Sequence, residues 1–156
     1  MHKFLILFFL FISCNTVFSQ KEIDENQKNA KQAVLDFFEG FHKGDTVQIG
    51  KTIISKDMVL QTVFKTKEGK VKTNTTTIAK FLEAIHNRPK DQKWLEKLLD
   101  FKIDANDRIA QIWTPYEFYV NDKFSHCGVN IFQLFNDGST WRIMAIADTR
   151  KREGCK

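Results

Sequence analysis

The sequence predicts an α+β domain in which N-terminal helices pack on one face of a strongly curved, mainly antiparallel sheet. Three observations predict it. Apolar residues recur at helical spacing in the first part of the chain, at Ala30, Val34, Phe37, Phe38 and Phe41. The last third is a run of alternating segments separated by turn signals, Asn106-Asp107, Asn121-Asp122 and Asp137-Gly138. Consecutive antiparallel strands after a helical group leave one sheet face to be covered by those helices.

The elements follow in order. Asp24 to His42 reads as an amphipathic helix, with Asp24 as a cap and Gln27 three residues on. Gly44-Asp45 ends it, and Thr46 to Ile54 forms a second short helix. Met58 to Lys65 is rich in β formers, and Glu68-Gly69 turns it back into a strand at Val71 to Thr75. Thr76 or Thr77 caps a third helix carrying Ile78, Phe81, Leu82 and Ile85, which Pro89 closes. Lys90 to Lys93 is a loop. Strands follow over Leu99, Phe101 and Ile103, then Ile109 to Tyr119 (broken by Pro115), Phe124 to Phe135, and Trp141 to Thr149. Asp137-Gly138 reads as a two-residue hairpin turn.

Before residue 20 the pattern differs. A basic start, Met1-His2-Lys3, precedes the apolar run Phe4 to Ile12 and the more polar Ser13 to Ser19. Nine apolar residues fall well short of the roughly 20 that span a bilayer, so the stretch reads as a secretory signal cleaved after Ser19 rather than an anchor. The expected organisation is therefore a signal peptide at 1–19 and a single domain at 20–156, periplasmic or secreted and not inserted in the membrane after cleavage. Phe11-Ile12-Ser13-Cys14 also resembles a lipoprotein box lacking its usual Leu, so lipidation at Cys14 is the rival route. Cys127 and Cys155 remain after cleavage, a candidate disulfide in an oxidising compartment that would pin the tail to the sheet.

The formal net charge of +5 is modest. Basic residues are scattered apart from Arg150-Lys151-Arg152, with no concentrated stripe of the kind that binds nucleic acid. No CxxC or HExxH spacing is present, so neither a metal site nor a cofactor is expected.

The order helix, short helix, hairpin, helix and strand meander resembles the nuclear transport factor 2-like superfamily over residues 24–150. Its marks are Gly44-Asp45 and the closing run Phe132-Gln133-Leu134, Gly138 and Trp141-Arg142-Ile143. The stretches Trp113 to Phe118, His126-Cys127-Gly128 and Asp148-Thr149-Arg150 resemble an exported bacterial branch called lumazine-binding-like. The resemblance implies a cone whose open end leads to an apolar pocket, and dimers formed through the sheet. It includes SnoaL-type and ketosteroid-isomerase-like proteins, whose isomerase-type members use an acidic base in the cavity.

Register read from the two later turns places Leu134 opposite Trp141, Phe132 opposite Ile143, Asn130 opposite Ala145, Tyr119 opposite Phe124, Glu117 opposite His126, and Trp113 opposite Asn130. One face then carries Trp113, Glu117, Tyr119, His126, Asn130, Phe132 and Ala145, facing Phe37 and Phe41 of the first helix. Glu117 beside His126 would form an oriented acid–base pair at the mouth. Asp148, Tyr116 and Phe118 fall on the opposite face, whose apolar residues suit a homodimer. Three functions stay open: a small-molecule-binding domain for an apolar or aromatic ligand, an isomerase, dehydratase or cyclase using His126 and Glu117, and a non-catalytic dimeric interaction domain.

Overall fold

The computed structural model describes residues 25–155. The signal-peptide reading, the Cys14 alternative and the Asp24 cap lie outside those residues.

The first helix, α1, runs through residues 25–43. Its apolar stripe, Ala30, Val34, Phe37, Phe38 and Phe41, is buried. Gly44 ends it at φ 74°, a left-handed geometry that suits glycine, and the Asp45 N–H donates to the Gly40 carbonyl at 2.8 Å. Asp45 then caps α2 (Thr46–Thr52), its carboxylate accepting from the Val47 and Gln48 N–H groups. The hairpin β1 (Val59–Lys65) and β2 (Val71–Thr77) leads into α3 (Ile78–His86), capped by Thr77. The remaining strands are β3 (Trp94–Leu98), β4 (Lys102–Ala105), β5 (Ile109–Val120), β6 (Lys123–Asn136) and β7 (Trp141–Arg150).

The sheet order is β2-β1-β7-β6-β5-β3, with β4 also pairing β5. All pairs are antiparallel except β1 with β7. The sheet is curled but unclosed, and the helices pack on it as the sequence leads one to expect. Among the described residues no helix is long and apolar enough to cross a membrane.

Two bulges change which residues share a face. In the β5–β6 hairpin, Asn121 and Asp122 adopt positive φ and Tyr119 pairs with Phe124 as expected. Ser125 then stands unpaired, so Phe118 rather than Glu117 opposes His126, and Trp113 opposes Ile131. In β6–β7 the loop has four residues instead of two. The Asp137 carboxylate accepts from the Ser139 and Thr140 N–H groups, which holds the loop open and pairs Asn136 with Trp141. That change moves partners by two and preserves faces. The second bulge, between Gln133 and Leu134, leaves Met144 extra, so Gln133 opposes Ala145, Phe132 opposes Ile146, and Asn130 opposes Asp148. A single inserted residue reverses facing for everything beyond it. Pro115 itself sits in regular pairing with Val129.

The closed part of the concave face is filled by side chains. Phe37 and Phe41 flank Phe81 in near-parallel stacks at 6.0 and 5.8 Å, and Phe38 meets Phe132 edge to face at 5.9 Å. Trp94 and Phe118 continue the cluster from Phe41 toward the open end. Such pairs add about 0.5–1.5 kcal/mol each beyond area burial.

Candidate functional site

The concave face changes character toward the ends of β3, β5 and β7. Along β5 the inward positions run Ala110, Ile112, Thr114, Tyr116 and Phe118. Along β6 they run Leu134, Phe132, Asn130, Gly128 and His126, and on β7 Ile146 gives way to Asp148. The expectation that Asp148 and Tyr116 face away from Asn130 is therefore corrected by the two bulges. Asp148 and Asn130 are cross-strand neighbours, and both are buried.

These groups form two neighbouring hydrogen-bonded sets, one around Asp148 and Tyr116 and one joining Asn130, Glu96 and His42. The Tyr116 hydroxyl reaches the Thr149 carbonyl at 3.0 Å and Asp148 Oδ2 at 3.3 Å. The Thr62 hydroxyl of β1 donates to Asp148 Oδ1 at 2.5 Å, and Arg150 Nε donates to Asp148 Oδ2 at 2.8 Å. The Asn130 amide donates to Glu96 Oε1 at 2.7 Å. Glu96 projects inward from β3, and its backbone N–H donates to His42 Nε2 of α1 at 3.0 Å. Gly128, opposite Tyr116, makes the approach possible: a Cβ there would lie 1.7 Å from the Thr149 carbonyl oxygen and 2.9 Å from the tyrosine ring.

The environment shifts titration in opposite senses. Burial raises the Glu96 carboxyl to about 7; the Asn130 hydrogen bond works against the rise, and the Asp148 carboxylate adds to it. Burial lowers the His126 imidazole to about 4, reinforced by the Arg150 guanidinium. Burial also raises the Tyr116 phenol, so the hydroxyl stays protonated and can donate. Near neutrality the site thus contains a carboxyl poised to gain or lose a proton, beside a neutral imidazole and a phenol. His126 packs at 5.0 Å against Phe118 and edge to face with Tyr116.

Of the residues singled out in the sequence, His126, Asn130, Phe132, Phe37 and Phe41 share the concave side. Phe37, Phe41 and Phe132 belong to the packed aromatic core. Trp113, Glu117, Tyr119 and Ala145 do not join them, because the bulges separate the face of Trp113, Glu117 and Tyr119 from that of His126 and Asn130, and turn Ala145 away from Ile143. Glu117 accepts from the Tyr119 hydroxyl at 2.6 Å on the convex face, so it forms no pair with His126. Trp113 is 40% exposed there. Cys127 and Cys155 are joined by a disulfide, and Lys151 pairs with Cys127 through both backbone groups. Among the described residues no group of His, Cys, Asp and Glu is arranged to hold a metal ion.

An open depression of about 480 Å³ lies at the lip of this end, lined by Val120, Asn121, Lys123, Phe124, Ser125 and Arg152. The Ser125 hydroxyl shares a hydrogen bond with His126 Nδ1 at 3.1 Å, which links the depression to the cluster. A second depression, lined by Asp104, Ala105, Asn106, Ile109, Ala110, Gln111 and Gln133, lies at the far end of β5.

Solved structures share this arrangement of helices and curled sheet. A nuclear transport factor 2-like protein from Cytophaga hutchinsonii superposes with a TM-score of 0.58 at 10% identity, covering 77% of this chain and 93% of its own. The chain has the nuclear transport factor 2-like fold. A candidate dehydratase of that family from Streptomyces avermitilis gives 0.60 at 10% identity over 82% and 97% of the two chains. A protein of unknown function from Shewanella baltica gives 0.54 at 12% over 81% and 94%. Neither a family model nor a curated protein sequence matches the chain. At these identities the likeness concerns the fold, which hosts enzymes, binders and assembly domains alike.

Proposed function

We propose that this nuclear transport factor 2-like chain is an exported small-molecule-binding domain whose site is the polar end of the concave face, where Glu96, Tyr116, His126, Asn130 and Asp148 meet. The observation that carries the reading is the Asn130–Glu96 pair: a carboxyl held near 7 by burial and aimed into the concavity beside aromatic side chains. A few converging polar groups on an apolar floor is what recognition of a small organic molecule requires. The same pair favours a second reading, proton transfer, because a carboxyl titrating near neutrality suits a general base. In that reading Glu96 takes the role first assigned to Glu117, and Tyr116 and His126 stand by as neutral hydrogen-bond partners.

Amide chemical-shift mapping with a library of small aromatic and apolar compounds tests the binding reading. Perturbations grouped on Trp94, Glu96, Phe118, His126 and Asn130, and weakened by Asn130→Ala, are expected. Perturbations confined to the convex face, or none at all, would sink it. Export is supported by the disulfide, since such bonds persist in oxidising compartments; recovery of the protein from cytoplasm alone would count against it. Pairing of two copies through the convex face is supported by the part-exposed Trp113, Val129 and Ile131 there. A monomer mass by sedimentation at high concentration would refute that pairing.

A further inference from the structure

We propose that the depression at the rim of the sheet, beside the β5–β6 turn, binds a small organic anion, an oxyanion group carried on an aromatic or apolar body, with Lys123 and Arg152 neutralising the charge and Phe124 packing on the body. This goes beyond the binding reading above, since the depression shares no lining residue with the polar cluster.

Two cations line one depression, and neither Lys123 nor Arg152 makes an ion pair among the described residues. The acidic groups around them are engaged elsewhere. Asp122 pairs with Lys93 at 3.2 Å, Glu117 accepts from Tyr119, and Asp148 holds Arg150. Exposed Glu153 follows Arg152 in the chain but is absent from the lining. Neutral donors complete the set. Asn121 Oδ1 accepts from the Lys93 N–H at 2.7 Å, which leaves its NH₂ as the end free to donate, and Ser125 contributes a hydroxyl. Phe124 is 45% exposed and packs edge to face on Tyr119, so its ring is held while one side stays open to a ligand.

Arg152 lies three residues from the last described position, where a chain normally frays. Here it is tied on both sides. Lys151 exchanges two backbone hydrogen bonds of 2.9 Å with Cys127, and Cys155 is bonded to Cys127. Lys151 Nζ also donates to the Gly154 carbonyl at 2.7 Å. A tail held this closely keeps a guanidinium at the lip, where it offers a planar, bidentate partner to a carboxylate, sulfonate or phosphate. The Arg152 charge also acts on His126, which places it within electrostatic reach of the polar cluster.

Fluorescence titration of the purified protein with anilinonaphthalene sulfonate, and with its neutral parent phenylnaphthylamine, tests the proposal. The two probes share a body and differ in charge. The sulfonate should bind more tightly, and Lys123→Gln/Arg152→Gln should weaken it by about tenfold or more while leaving the neutral probe unchanged. Arg142→Gln, which removes a cation paired with Asp137 at the other end of the sheet, should change neither. Thermal unfolding of each variant confirms that the fold is retained. Equal losses for both probes, or an unchanged sulfonate affinity in the double variant, overturns the anion site. Binding of the neutral probe alone refutes the anion preference; binding of neither probe refutes the depression as a ligand site, while the polar cluster is decided separately by the shift mapping.

Discussion

Replacing Glu96 by Gln should make the protein more stable, and the gain should depend on pH. A carboxyl raised from its ordinary 4.5 to about 7 holds its proton more tightly in the folded chain than in the unfolded one. Below about pH 4.5 Glu96 is protonated in both states and contributes no penalty. As pH rises from 4.5 through 7 the folded state must give up a proton it holds tightly, so stability falls, and above 7 the full cost is present. That cost amounts to about 3 kcal/mol. Glutamine keeps a carbonyl for the Asn130 amide and removes the charge. The variant should therefore match the parent near pH 4 and exceed it by about 3 kcal/mol near pH 8. His126 acts in the other sense: its folded value of about 4 lies below the ordinary 6.5, so it contributes stability above that range which is lost as pH falls from 6.5 to 4. In the parent the two slopes oppose each other between 4.5 and 6.5; in Glu96→Gln the histidine slope should stand alone, with stability rising across that window. Urea unfolding of both proteins over this pH range, with the slope in urea checked for constancy, reads the difference. An advantage that does not change with pH would refute the claim that Glu96 is held near 7 by its surroundings.

Two further perturbations address the scaffold. Gly128→Ala puts a Cβ 1.7 Å from the Thr149 carbonyl oxygen, a backbone atom that cannot swing aside, so a loss of about 2 kcal/mol or more is expected in denaturant unfolding; a change below about 0.5 kcal/mol would show that the β6–β7 approach is looser than described. Cys155→Ser opens a loop spanning a sequence separation of 28, worth about 3.5 kcal/mol in chain entropy. The same loss should follow a dithiol reductant in the parent but not in the variant, and thermal unfolding insensitive to reductant in both would mean that the bond is absent in solution.

The elements that could be read from sequence are those whose local chemistry and burial agree. Phe37, Phe38 and Phe41 at helical spacing, Gly44-Asp45 at the helix junction and Asn121-Asp122 at the hairpin each signal their own geometry. β3 was not legible, because Glu96 occupies an inward position where alternation calls for an apolar side chain. The alternation at Leu99, Phe101 and Ile103 predicts a strand further on, whereas the chain forms β3 and β4 on either side of a break at 99–101. The most informative residue of the site is thus also the one that hides its strand. Facing differs for another reason: a turn sets register only as far as the first bulge, and each inserted residue reverses the faces beyond it. Neither bulge leaves a mark in the sequence: Ile143 to Ala147 is apolar throughout and fits either face, and Phe124 and His126 fit either face as well.

The composition of the polar cluster argues that it serves more than folding. A curled sheet with helices on one side is stabilised most simply by apolar residues at every inward position, as the Phe132, Leu134, Ile143 and Ile146 end illustrates. Placing Glu96, Asn130, Asp148 and Thr62 inward instead requires each polar group to find a partner, and every buried side-chain nitrogen and oxygen among the described residues has one. Such networks gain little net stability over well-packed apolar side chains, and burial, which raises the Glu96 carboxyl, disfavours its charged form. What the network does achieve is fixed geometry. Tyr116 is held by two acceptors, Asp148 by three donors, and the Glu96 backbone by His42, all on strands and a helix rather than on loops. Rigid polar groups beside a packed aromatic cluster are what recognition or proton transfer needs. The proposed binding site assigns a use to this polar end, which pairing of copies through the convex face alone would leave without one.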